Sequence, residues 1–194
     1  MRRSILVVLL AVALGGCGVD LANYKYAALE TTPQAIGSTF TATPAPGWKR
    51  VTSDLDQDSQ INWSAGEQDN RVGIRFWYDL NEDDALFRHV DPDFPLFRPD
   101  MSPAGVMAMF KESLEFRNLR EVETTNLRAA AFGNADGFRF DTSFRLPNDI
   151  SVRGTVLAAI LGDKLQLISY SASPELFEEY LGDADAIMNS VELQ

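Results

Sequence analysis

The chain holds one cysteine and one histidine in 194 residues, and these two scarcities remove much of the common chemistry of sites. A zinc site needs three or four ligands from Cys, His and carboxylate, yet His89 has no second His and Cys17 no second Cys. A disulfide framework fails on the same count. A serine hydrolase would have to use His89 as its base, and no G-x-S-x-G elbow stands in the chain. Glycine-rich phosphate loops are missing as well. No apolar run approaches the roughly 20 residues that a spanning helix requires. These absences predict a protein without catalytic residues, metal or cofactor.

The one cysteine stands where it has a use. Arg2 and Arg3 open the chain, Ile5 to Leu14 form an apolar run, and Leu14, Gly15, Gly16 and Cys17 follow. A basic start and a short apolar run make an export signal. The last four residues resemble the lipobox of bacterial lipoproteins: a Leu-like residue, two small residues and an obligatory Cys. The resemblance implies a diacylglycerol on the sulfur of Cys17, cleavage before it, and often acylation of the new amino group. A thiol is the side chain best able to supply the nucleophilic thiolate. Several buried acyl chains, at about 0.8 kcal/mol per methylene, hold firmly where one would be marginal. The alternative is an ordinary signal with an incidental cysteine. In enterobacteria an Asp directly after the Cys favours inner-membrane retention. Gly18 occupies that place, so the resemblance implies the periplasmic leaflet of the outer membrane, with inner-membrane retention as the alternative.

Loss of residues 1–16 leaves 178, enough for one domain. Basic residues are in short supply: the mature chain has 15 against 28 acidic, a net charge of −13. That balance argues against nucleic acid and against an anionic lipid surface, which need basic patches. Residues 17–37 have no clear strand period and read as a lipidated N-terminus and tether, leaving 38–194 as a single domain. A short docking helix carrying Leu21, Tyr24 and Leu29 is the other reading of that stretch.

Within the domain, "STFTAT", "GWKRVT" and "QINWSA" read as short strands, the first two separated by the breaker-rich "PAPG". "RVGIRFWYDL" alternates, with Val72, Ile74, Phe76 and Tyr78 on one face and Arg71, Gly73, Arg75 and Trp77 on the other, which predicts a half-buried antiparallel strand. Ser102 and Pro103 signal a helix start, and Val106, Met109, Phe110 and Leu114 supply its apolar stripe to about Phe116. "LREVETTNLRAAAF" returns as a strand, and "GNADG" turns into "FRFDTSF". There Phe138, Phe140 and Phe144 oppose Arg139, Asp141 and Arg145. "SVRGTVLAAI" and "LQLISYSA" are apolar on both faces, so both faces must be covered. A second helix, started by Ser173 and Pro174 with a stripe of Leu176, Phe177, Tyr180, Leu181, Ile187 and Met188, supplies one cover.

The order β-β-β-β-α-β-β-β-β-α, with hairpins between consecutive strands, predicts an α+β fold: an antiparallel sheet with helices packed on its faces. With "APGWKRV", "FGNADGFRF", "RGTVLAAILGDKLQLISYSA" and a closing "IMNSVEL", the pattern over residues 38–193 resembles the PsbP-like fold. That fold occurs in the PsbP subunit of photosystem II, a Ran-GTPase release factor and bacterial lipoproteins. The resemblance implies a binding or assembly protein more than an enzyme, and carries over no functional residue.

Four constellations could carry chemistry. Asp54, Asp56 and Asp58 match positions 1, 3 and 5 of a calcium loop, but Ser59 and Ala65 stand where glycine and glutamate are needed, so an acidic turn is the plainer reading. His89 with Asp91 and Asp93 lacks further ligands. The connection at 85–101 is long enough to be functional, and its Phe87, Phe94 and Phe97 suit either an apolar lip for a partner or ligand, or a seal on the core. Arg139, Arg145 and Arg153 share a sheet face if Ser143 pairs with Arg153, forming either a cross-strand charge ladder or an anion site. Together these readings predict a lipid-anchored, non-catalytic periplasmic binding or assembly protein of the envelope, contacting a protein partner. A carrier or sensor of a small apolar ligand held between sheet and helix is the alternative. Nucleic acid is not expected as a partner.

Overall fold

A computed structural model describes residues 24–53, 59–65, 72–88 and 91–194. Cys17, the Asp54, Asp56 and Asp58 turn, and His89 lie outside the described residues. Among the described residues eleven strands and two helices follow in the order β1 (Lys25–Ala28), β2 (Gln34–Ile36), β3 (Phe40–Ala42), β4 (Lys49–Thr52), β5 (Gln60–Ser64), β6 (Val72–Leu80), α1 (Pro103–Phe116), β7 (Arg120–Phe132), β8 (Ala135–Arg145), β9 (Ser151–Leu161), β10 (Lys164–Ala172), α2 (Pro174–Asn189) and β11 (Glu192–Leu193). Eight strands form one sheet in the order β1-β4-β5-β6-β10-β9-β8-β7, and β11-β3-β2 form a small second sheet. Every described strand pairing is antiparallel. The fold is α+β.

The chain leaves β6 and passes through α1 to the far edge, where a meander from β7 to β10 returns to pair with β6. Alternation along the central strands fills two cores. On the α1 side Trp77, Phe110, Phe138, Phe140, Val156 and Leu167 pack together. On the α2 side Phe76, Leu157, Ile168, Phe177 and Ile187 do so, joined by Ile36 and Phe40 of the small sheet. Ser102 caps α1 by accepting from the Gly105 backbone N–H at 3.2 Å. Ser173 precedes α2 without a side-chain cap bond, so Pro174 and its own φ, ψ mark that start.

Three expectations change. The stretch read as tether supplies β1, which pairs with β4, and β2, which pairs with β3; Ile36 is fully buried. Strands of four and three residues leave too little period to read. The "PAPG" segment joins no hairpin, since β3 pairs with β2 and β11 while β4 pairs with β1 and β5. Strand β6 is covered on both faces, because Trp77 packs into the α1-side core while Phe76 packs into the other.

Candidate functional site

The loop phenylalanines are core residues. Phe87, Phe94 and Phe97 keep 8, 5 and 0% of their surface exposed, and all three pack on the α1 side. Phe87 meets Trp77 edge-on at 5.5 Å and Phe94 meets Phe116 at 5.4 Å. The loop is clasped by paired backbone bonds, Asp83 N–H to Phe97 O at 3.0 Å and Phe97 N–H to Asp84 O at 2.9 Å. The expected apolar lip is therefore a seal on the core, and the rings are not presented to a partner or ligand.

The arginine face is different. The register pairs Ser143 with Arg153 and Asp141 with Thr155, which meets the condition for the arginines to share a face. Helix α2 flanks this face, bringing Glu178, Leu181 and Asp185 to its edge at i, i+3 and i+7, one side of a helix. Between helix and sheet lies a cleft of about 480 Å³ lined also by Thr125, Arg128, Arg139, Asp141, Arg153 and Thr155. Its lining is mainly polar, so it does not suit the small apolar ligand expected between sheet and helix.

Each guanidinium of the cleft faces a carboxylate. Arg139 Nη2 donates to Asp185 Oδ1 at 2.5 Å and approaches Met188 Sδ at 2.9 Å. Arg153 Nη1 donates to Glu178 Oε1 at 3.0 Å, and its guanidinium carbon sits 4.3 Å from the Phe177 ring centroid. Arg128 meets Asp141 at 3.4 Å, and Asp141 also accepts from Asn126 Nδ2 at 2.7 Å. Arg145 pairs with Glu121 at 2.7 Å and does not line the cleft. The arginines are thus balanced by carboxylates of α2, β7 and β8, and a bare anion site is not what the fold builds. One donor is left over: Arg139 Nε is buried and finds no hydrogen-bond partner among the described residues. Such a group calls for a water or a ligand atom.

Tyr170 fixes the helix beside the cleft. Its hydroxyl donates to Phe177 O at 2.9 Å. Burial, with Glu178 and Asp183 nearby, pushes its phenol above the ordinary value, so it stays a donor.

Sequence reading missed Arg128, Glu178 and Asp185. The acidic pair was open to a helical projection of α2. Arg128 was hidden by a β-bulge: Thr125 pairs with Asp141 and Arg128 with Arg139, three residues against two. Asn126 takes up the extra residue at φ 57°. Among the described residues no cluster of His, Cys, Asp or Glu is placed to hold a metal ion.

No protein-family model matches this sequence, and no curated protein matches it. Solved structures match in fold. The solution structure of cyanobacterial PsbP (CyanoP) from Synechocystis sp. PCC 6803 aligns with a TM-score of 0.54 at 12% identity, covering 93% of this chain and 99% of that one. LpqN, involved in cell envelope biogenesis of Mycobacterium tuberculosis, aligns at 0.50 and 13% identity, covering 89% and 92%. The chain has the PsbP-like fold.

Proposed function

We propose that this protein is a lipid-anchored envelope component that acts by binding and not by catalysis, with the α2 cleft as its contact surface. The observation that carries the reading is the ring of matched charges. Arg139 and Arg153 meet Asp185 and Glu178 of α2 across a solvent-open groove, and Arg128 meets Asp141 on the neighbouring strand of the sheet. The Arg128–Asp141 and Arg153–Glu178 pairs are exposed and have little stability to lose, so a polar partner can exchange with them at small cost. Charges of both signs in fixed positions favour selectivity and fast encounter. A general acid or base instead needs a group held near a reacting atom, and these carboxylates are engaged with guanidinium groups. The anchor rests on the lipobox resemblance at Cys17, and that resemblance supports the periplasmic leaflet of the outer membrane, with inner-membrane retention as the alternative. The envelope role of LpqN, a neighbour in fold, accords with that location.

The test is crosslinking in intact membranes. A photoreactive residue at Leu181 should trap a discrete partner absent when the residue is placed at the exposed Asp163 on the β9–β10 turn, and Arg153→Ala should weaken that capture. Identical products from both positions would defeat the cleft assignment. Labelled palmitate should enter the wild type and not Cys17→Ala; equal labelling would defeat the anchor.

A further inference from the structure

The net charge of the chain speaks against contact with an anionic surface, but the charge is not evenly placed. Within their bounds strands β1 and β4 carry Lys25, Lys49 and Arg50 and no acidic residue, although Glu30 follows β1 and the acidic Asp54, Asp56 and Asp58 follow β4 in the chain. They form one edge of the large sheet, and Tyr24, 50% exposed, sits directly before β1. Lys25 and Arg50 are exposed. Tyrosine beside lysine and arginine is the composition that settles at a membrane–water interface.

Chain length adds a second, independent constraint. Eight residue steps separate Cys17 from Lys25, which reach at most about 27 Å when fully extended. The reading of residues 17–37 as a tether would have allowed roughly 60 Å. Because β1 is hydrogen-bonded into the sheet, an acyl group on Cys17 would keep this edge within that shorter reach of the bilayer.

We infer that the domain stands on its β1–β4 edge against an anionic lipid surface and presents the α2 cleft at the opposite edge. This rests on the lipid-anchor reading of Cys17. The sheet order puts β7 seven strand spacings from β1, about 34 Å along the sheet at about 4.8 Å per spacing. The cleft on β7, β8 and β9 is then directed away from the membrane, toward partners in the periplasm. The sheet acts as a spacer, and its edge residues set the orientation.

The test uses the full-length protein, processed in cells and reconstituted into vesicles of phosphatidylethanolamine and phosphatidylglycerol. Acylated Cys17 has no free thiol, so an engineered cysteine takes a fluorophore alone. Ala27→Cys in β1 and Ala129→Cys in β7 are both exposed positions. Headgroup-level nitroxide lipids should quench the label at position 27 and leave the label at 129 nearly unaffected. Adding Lys25→Ala or Arg50→Ala should shift the apposed state toward the free one by about fivefold each, the weight of one basic group at an anionic surface. High salt should act in the same direction.

Equal quenching at the two positions in protein whose mass includes the acyl chains overturns the orientation alone. A mature mass without acyl chains overturns the orientation together with the anchor on which it rests. Protection of position 27 from an aqueous quencher without quenching by lipid shows a protein strand on that edge, and also overturns it.

Discussion

Asp79 shows how much a single residue can decide in this molecule. Its backbone is left-handed at φ 54°, and its carboxylate gathers the turn between β2 and β3. It accepts from the Ser38 N–H at 3.2 Å, the Ser38 hydroxyl at 3.1 Å, Gln166 Nε2 at 3.2 Å and the Thr39 hydroxyl. Gly37 beside it sits at φ 61°, where a Cβ would lie 2.3 Å from the Tyr78 ring, so only glycine lets the turn approach. Burial acts to raise the Asp79 carboxyl, but the bonds from Thr39, Ser38 and Gln166 outweigh it and hold the group below its ordinary value. A depressed carboxyl stabilises the fold above its unfolded pKa of about 3.9, and that contribution is lost as pH falls through the lower folded value. Asp79→Asn keeps a residue that tolerates the left-handed backbone while removing the charge. We expect it to cost about 1 to 3 kcal/mol at neutral pH, with the difference from wild type constant above about pH 5 and shrinking below pH 4. Urea denaturation at several pH values checks this; a difference independent of pH would remove the carboxylate from the account. None of it was legible in the sequence, because Asp79 meets partners 40 and 87 residues away.

At the scale of elements, periodicity carried the reading where a strand or helix was long and failed where it was short. Alternation over eleven residues fixed both faces of β8, while the pairing of Ser143 with Arg153 was a condition that the alternation alone did not decide. The start of α1 was written in Ser102 and Pro103. Strand β11 has two residues, too few for any period. The 85–101 loop was ambiguous for a different reason: aromatic residues serve cores and contacts alike, and only burial decides. Since all three rings are buried, Phe97→Ala should cost about 3 to 5 kcal/mol, and Phe87→Ala and Phe94→Ala should also destabilise measurably. None should weaken partner capture except through unfolding. Thermal melts paired with pull-down of the folded fraction would show it, and loss of capture at unchanged stability would return the loop to function. On α2 the two ion pairs should separate. Arg139 is only 16% exposed, whereas Arg153 and Glu178 are about half exposed or more. Glu178→Gln should therefore change stability by less than about 1 kcal/mol. Asp185→Asn, which leaves a nearly covered guanidinium without its counter-charge, should cost more, and equal effects would show that Arg139 is better solvated than its burial indicates.

For the molecule as a whole, the question is where the folded unit begins. The sequence pattern starts it at Ser38, since the residues before it are mixed in character. The structure carries it back to β1, and the reason lies in contacts that no local pattern announces. Ile36 is fully buried in the α2-side core beside Phe40 and Phe132. Strand β2 covers β3, and β1 covers the outer side of β4 with a four-residue register. A chain beginning at Ser38 forfeits one fully buried isoleucine, worth about 2 to 5 kcal/mol in comparable deletions, and the Gly37 turn that positions the donors to Asp79. It also turns β4 into an open edge that invites pairing with other chains. A domain of this size has only about 5 to 15 kcal/mol of net stability, so the shortened chain should unfold at a much lower denaturant concentration, or aggregate. A chain beginning at Tyr24 should keep the midpoint of the full mature domain. Equal midpoints for the Tyr24 and Ser38 chains would mean that β1 and β2 rest on the domain without stabilising it. That outcome would restore the long tether, and with it the freedom of the sheet to tumble away from the membrane. A large difference makes the N-terminal strands part of the body, and the proposed acyl group on Cys17 would then confine the sheet to the neighbourhood of the bilayer.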